Sequence, residues 1–133
     1  MVNPEIVSHA AILVKPIIKK DHESLIKGLS EFVESEKKNE YKLEVLLNVY
    51  RFFKNRFNSE LTIVGSEGFA GGNVTMEKAL DRYDHSFKHL EVYMGYLNLI
   101  EQKLQSLGYN SLEDEISDLR NIFEEYQFKK EDS

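Results

Sequence analysis

The chain has no cysteine, no tryptophan, only two prolines and only seven glycines among its 133 residues. Without cysteine there is no disulfide, no thiolate nucleophile and no cysteine-ligated zinc. Few prolines and glycines mean few of the residues that punctuate turn-rich folds, which suits long helices. Long hydrophobic runs are missing too. The longest, Ala10 to Val14, is far short of the roughly 20 residues that span a bilayer. No secretory leader is evident, because Glu5 and His9 interrupt the first apolar stretch and no positive region precedes it. A cytoplasmic location is the expectation. Basic charge is also in deficit: 17 Lys and Arg face 23 Asp and Glu, a formal net charge of −6. That balance argues against nucleic acid and against a membrane as main partners. Lys15, Lys19 and Lys20, and also Lys37 and Lys38, form small basic clusters. Asp21, Glu34 and Glu36 flank them, so they read as solvated helix faces.

What is present is a folded-domain composition, 41% hydrophobic and 30% charged. The length suits a single helical domain over residues 1–133. The spacing predicts a first helix over about 4–15, with Asn3 as cap and Pro4 in the first turn. Ile6, Ala10, Leu13 and Ile17 make one stripe, and Val7, Ala11, Val14 and Ile18 a second beside it. So wide an apolar face predicts deep burial. Pro16 ends or kinks this helix. A buried strand over 10–18 competes with that reading, since Ile and Val are strand formers. A helix over about 17–38 carries Ile18, His22, Leu25, Leu29 and Phe32. Another, over about 41–58, carries Leu43, Leu46, Tyr50, Phe53 and Phe57. Leu61–Val64 fits either a helical turn or a strand. Residues 65–72 hold four of the glycines and read as a mobile connection.

The strongest element is a long helix near 75–107. Met76, Leu80, Tyr83, Phe87, Leu90, Met94, Leu97 and Leu104 follow heptad spacing. Gly108 is its natural stop. Ser111 with Asp114 resembles a capping box opening the last helix, where Leu112, Ile116, Leu119, Phe123 and Tyr126 recur. Residues 129–133 form a tail expected to fray. The fold expected is therefore all-α: a four-helix-type, up-and-down bundle with a kinked N-terminal helix and one long helix near 75–107.

Candidate chemistry rests on four histidines. His85 and His89 are four residues apart on the long helix and Asp81 four before, a spacing that lets side chains share a metal. This constellation resembles the His-x-x-x-His element of hemerythrin-like and DinB-like metal bundles, and Asp21–Ile26, with His22, resembles the first hemerythrin-like helix. The resemblance implies a metal site using Asp81, His85, His89 and His22. The heptad opposes it, because Phe87 and Leu90 at core positions put both histidines on the outside. His22 falls on the apolar stripe of its helix, which reads as a core or boundary position. The glycine stretch lacks the Gly-Lys-Ser/Thr ending of phosphate loops, and Gly-x-Ser-x-Gly is absent. No cofactor and no small-molecule substrate are expected.

Surplus apolar surface is the more useful sign. Val92, Tyr96 and Leu99 fall on the outer face of the long helix, with Tyr93 and Ile100 between the two faces and Gly95 among them. A helix apolar on two sides is either enclosed by its own chain or buried against a second one. The expectation is a non-enzymatic helical module that self-associates, as a homodimer, or binds another protein through Val92, Tyr93, Gly95, Tyr96 and Leu99.

Overall fold

A computed structural model describes the backbone of residues 3–66 and 76–132 and the side chains of residues 3–62 and 88–125. The fold is all-α. Among the described residues five helices run in the order α1 (Pro4–Val14), α2 (His22–Glu34), α3 (Asn39–Ser66), α4 (Met76–Ser106) and α5 (Glu113–Asp132). A 3-10 turn, Lys15–Lys19, separates α1 from α2. Among the described residues there is no strand, and no helix is long and apolar enough to cross a membrane.

α1 starts as its sequence dictates. The Asn3 side chain accepts the Glu5 N–H at 3.0 Å, and Pro4 occupies the first turn. The buried face cuts across the two expected stripes: Ile6 and Ala10 of the first and Val14 of the second are inside, Leu13 and Ile17 are half-buried, and Val7, Ala11 and Ile18 are exposed. Pro16 lacks an N–H and crowds the preceding turn. The backbone leaves α-helix after Val14, tightens into the 3-10 turn and closes with Lys20 in left-handed conformation, φ 55°. The strand alternative for 10–18 is thereby overturned. α2 begins at His22, not Ile17, because those turn residues are spent on the reversal. Asp21 caps it, accepting the Ser24 N–H at 3.1 Å and the Ser24 hydroxyl at 2.6 Å. Those bonds hold the Asp21 carboxyl below its usual range.

α3 is longer than the 41–58 expected. Leu61–Val64 continues it as helix to Ser66, which removes the extended alternative there. At 1.5 Å per residue its 28 residues span about 42 Å. α4, with 31 residues, matches the long helix expected. Its end is a Schellman motif: Gly108, φ 85°, donates to the Gln105 carbonyl at 2.9 Å and Tyr109 to the Leu104 carbonyl at 3.0 Å. α5 starts at Glu113, one residue too late for Ser111 to be its cap. It continues through residues 129–132 of the tail expected to fray. The glycine-rich connection lies outside the described residues, except Gly65 and Ser66, which end α3.

The chain divides into two compact units. The first comprises residues 1–52 and 99–112; Leu25, Leu29, Phe32, Val45, Leu46, Val49, Tyr50, Ile100 and Leu104 form its core. Here Lys42 is buried, and its ammonium donates to the Val33 carbonyl at 2.6 Å. His9 Nδ1 and the Tyr41 hydroxyl share a 2.8 Å hydrogen bond, and Phe32 packs edge-on to the imidazole at 4.6 Å. The second unit comprises residues 53–98 and 113–133; Phe53, Phe57, Leu90, Met94, Tyr96, Leu97, Ile116 and Leu119 form its core. Arg120 donates to Asn98 Oδ1 at 2.8 Å, and Lys54 pairs with Glu115.

Candidate functional site

Of the residues singled out on α4, Val92, Tyr93, Gly95 and Tyr96 belong to the second unit and Leu99 to the first. Leu90, Met94 and Leu97 recur at steps of four and three and are buried, as a heptad seam requires. That registration fixes what neighbouring positions do.

Tyr96, expected on the outer face, is only 5% exposed. Its ring stacks on Phe53 of α3 at 4.8 Å and 29° between planes. Such a pair contributes about 0.5–1.5 kcal/mol beyond area burial. Burial also raises the Tyr96 pKa, with the neighbouring Tyr93 adding to it. The chain itself encloses Tyr96, so this residue is core and not a free surface. Tyr93 is half-buried, its ring 6.4 Å from Phe53 and 6.2 Å from His89. Burial raises its pKa as well; the Arg56 charge opposes that shift and the Glu60 charge adds to it. Val92 and Leu99 are half-buried.

Gly95 is different from all of these. It is exposed, near the middle of the described part of α4. A Cβ built on it would meet nothing within 4 Å among the described residues. Glycine in a helix interior costs about 1 kcal/mol relative to alanine. Among the described residues, nothing packs where the missing methyl group would be.

His89 is half-buried, not wholly on a solvated face. Its Nδ1–H donates to Glu60 Oε1 of α3 at 3.1 Å. Glu60 was invisible to the sequence reading, which ended that helix at Asn58. The signal that could have found it is the run Leu61–Val64, which extends α3 and brings position 60 onto a helix. His85 and Asp81 precede His89 by one and two turns on the α4 backbone, but their side chains lie outside the described residues. His22 is exposed at the first position of α2. It is therefore not the core or boundary residue expected, because α2 starts later than its apolar stripe suggested. Among the described residues, no group of three or more His, Cys, Asp or Glu is placed to hold a metal ion.

In comparisons with protein-family models, curated proteins and solved structures, none matches the chain.

Proposed function

We propose that the chain is a non-enzymatic helical interaction module that self-associates, with a second copy packing against α4 around Gly95. The observation that carries this reading is the open glycine. An exposed helical glycine with nothing over it among the described residues is a standing cost that no described contact recovers. A second helix approaching there would use the missing Cβ, since small residues let backbones come close. Val92, one turn before, supplies a half-buried apolar flank. Tyr93 and Tyr96 support the site from below through Phe53. Closed two-fold assemblies are the commonest oligomers, which makes a homodimer the first form to test. The same reading has no cofactor or small-molecule substrate and, on composition, a cytoplasmic setting.

Sedimentation equilibrium of the wild type and two Gly95 variants tests it. Gly95→Leu is expected to weaken self-association at least about fivefold, because inserting a side chain into a close contact costs about 1–3 kcal/mol. Gly95→Ala is expected to weaken it less, while raising the stability of the dissociated chain by about 1 kcal/mol. A wild-type protein that stays monomeric at high micromolar concentration sinks the proposal. Tyr96→Glu is not a useful probe, because it would bury a carboxylate against Phe53.

A metal-binding bundle is the second reading, and Glu60 is what favours it. Metal-ligating imidazoles usually give their other ring N–H to a carboxylate, as His89 does through Nδ1. Its Nε2 would then be the ligand atom, with His85 one turn away along α4 as its partner. Protein purified without a histidine tag should hold bound zinc or iron, and His89→Ala should lose it. Metal content at background level disposes of this reading.

A further inference from the structure

The turn between α1 and α2 carries the most exposed large hydrophobic side chain among the described residues. Ile18 is 79% exposed and Ile12 is 67% exposed. Lys15, Lys19 and Lys20 around them are exposed as well. An α-helix turns about 100° per residue and a 3-10 helix about 120°. Counted from Ile12 through the end of α1 and into the 3-10 turn, Lys15 and Ile18 both return to about 40° from the Ile12 direction. The three therefore form one row, roughly 11 Å from the first to the last. The buried positions Ile6, Ala10 and Val14 lie on the opposite side. Lys19 and Lys20 sit at the end of the row, where the left-handed Lys20 reverses the chain.

We propose that this row docks the chain on an anionic lipid surface, with Ile12 and Ile18 entering the headgroup region and the three lysines meeting lipid phosphates or carboxylates. The proposal is independent of the contact at Gly95. Charge complementarity favours it: the apolar tips are framed by three cations in a chain whose overall charge is −6. The whole-chain balance that argues against a membrane does not see this local array. The acids nearest in sequence are Asp21, Glu23 and, at the far end of the row, Glu5. Asp21 accepts the Ser24 N–H and hydroxyl and stays ionised and exposed, where it feels the Lys19 charge, which leaves Lys15 and Lys20 as the cations least offset. Two isolated projecting isoleucines with a lysine between them suit a fluid interface, which needs no matching shape. A protein partner would need a broad complementary face of roughly 20–30 residues a side. Lysine stems also lie along apolar surface while their ammonium groups stay at the headgroups.

The test is co-sedimentation with vesicles of phosphatidylcholine containing 30% phosphatidylserine, against phosphatidylcholine alone. Binding is expected only to the anionic vesicles, and it should fall as salt rises. The double variant Lys15→Gln, Lys19→Gln should lose about 25-fold in partitioning, about fivefold per lysine. Ile18→Ser should lose about tenfold. All three positions are exposed, so thermal melts of the variants should match the wild type. The chain has no tryptophan, so Ile18→Trp gives a single reporter whose emission should shift to the blue on the anionic vesicles. No binding to those vesicles overturns the proposal, as does binding that the variants leave unchanged. If Ile18→Ser instead lowers the oligomeric state, the occupant is a second copy and the lipid proposal fails.

Discussion

Tyr50 holds a buried hydroxyl with no hydrogen-bond partner among the described residues. An unsatisfied buried polar group costs about 1–3 kcal/mol, and the ring alone fills the site. Tyr50→Phe should therefore leave stability unchanged or raise it by up to about 1 kcal/mol in urea unfolding. A loss greater than that would mean the hydroxyl is bonded in solution, for example to a trapped water. Burial and, secondarily, the Glu101 charge push the Tyr50 pKa from 10.0 up to about 12. Both favour the neutral phenol in the folded state, while the unfolded chain ionises from about pH 10. The stabilisation is thus whole below pH 10 and is lost as pH rises through 12. Tyr93 and Tyr96 shift the same way, so the informative quantity is the difference between wild type and Tyr50→Phe. That difference should grow in favour of the variant across this alkaline window.

At the scale of helices, Gly28 makes the counterpart of Gly95. It lies inside α2, half-buried, and an added Cβ would meet only Leu13 Cδ2 at 3.9 Å, an ordinary contact. Gly28→Ala should stabilise the chain by about 1 kcal/mol and raise Tm by roughly 3–5 °C. An unchanged or lower Tm would show that α1 and α2 pack closer than this. Much of the helical pattern was legible beforehand for a physical reason. Leu46, Tyr50, Phe53 and Phe57 on α3 recur at three and four, as do Leu90, Met94 and Leu97 on α4 with Leu104 a full heptad on, and all are buried. Asn3, Pro4 and Gly108 marked helix ends through backbone chemistry that is local to each residue. The misses came where local preference is ambiguous. Ile63 and Val64 are strand formers that α3 nonetheless carries, and an apolar stripe through Ile17 and Ile18 looked helical although Pro16 forces a tighter turn. Of the site, Gly95 was legible as an anomaly. That Tyr96 would find Phe53, and His89 would find Glu60, depends on which helices meet, and side-chain period alone does not fix that.

At the scale of the molecule, net charge separates the two proposed contacts by the sign of their salt dependence. Each copy carries −6, and exposed Glu91 sits one turn from Gly95 on α4. Two copies approaching there repel one another beyond the contact itself. The screening length falls from about 10 Å at 0.1 M salt to about 3 Å at 1 M, so added salt should tighten self-association. The lysine row on lipid is an attraction between opposite charges and should weaken under the same change. Self-association also couples folding to concentration, because only the folded chain dimerises. Over a tenfold rise in protein concentration above the dissociation constant, Tm should climb by roughly 2–4 °C. Tm should begin to climb at a lower protein concentration in 0.5 M than in 0.05 M sodium chloride, and should stay nearly flat for Gly95→Leu. A Tm independent of concentration in both salts would leave no role for a second copy, and the cost of Gly95 would then need an explanation within a single chain.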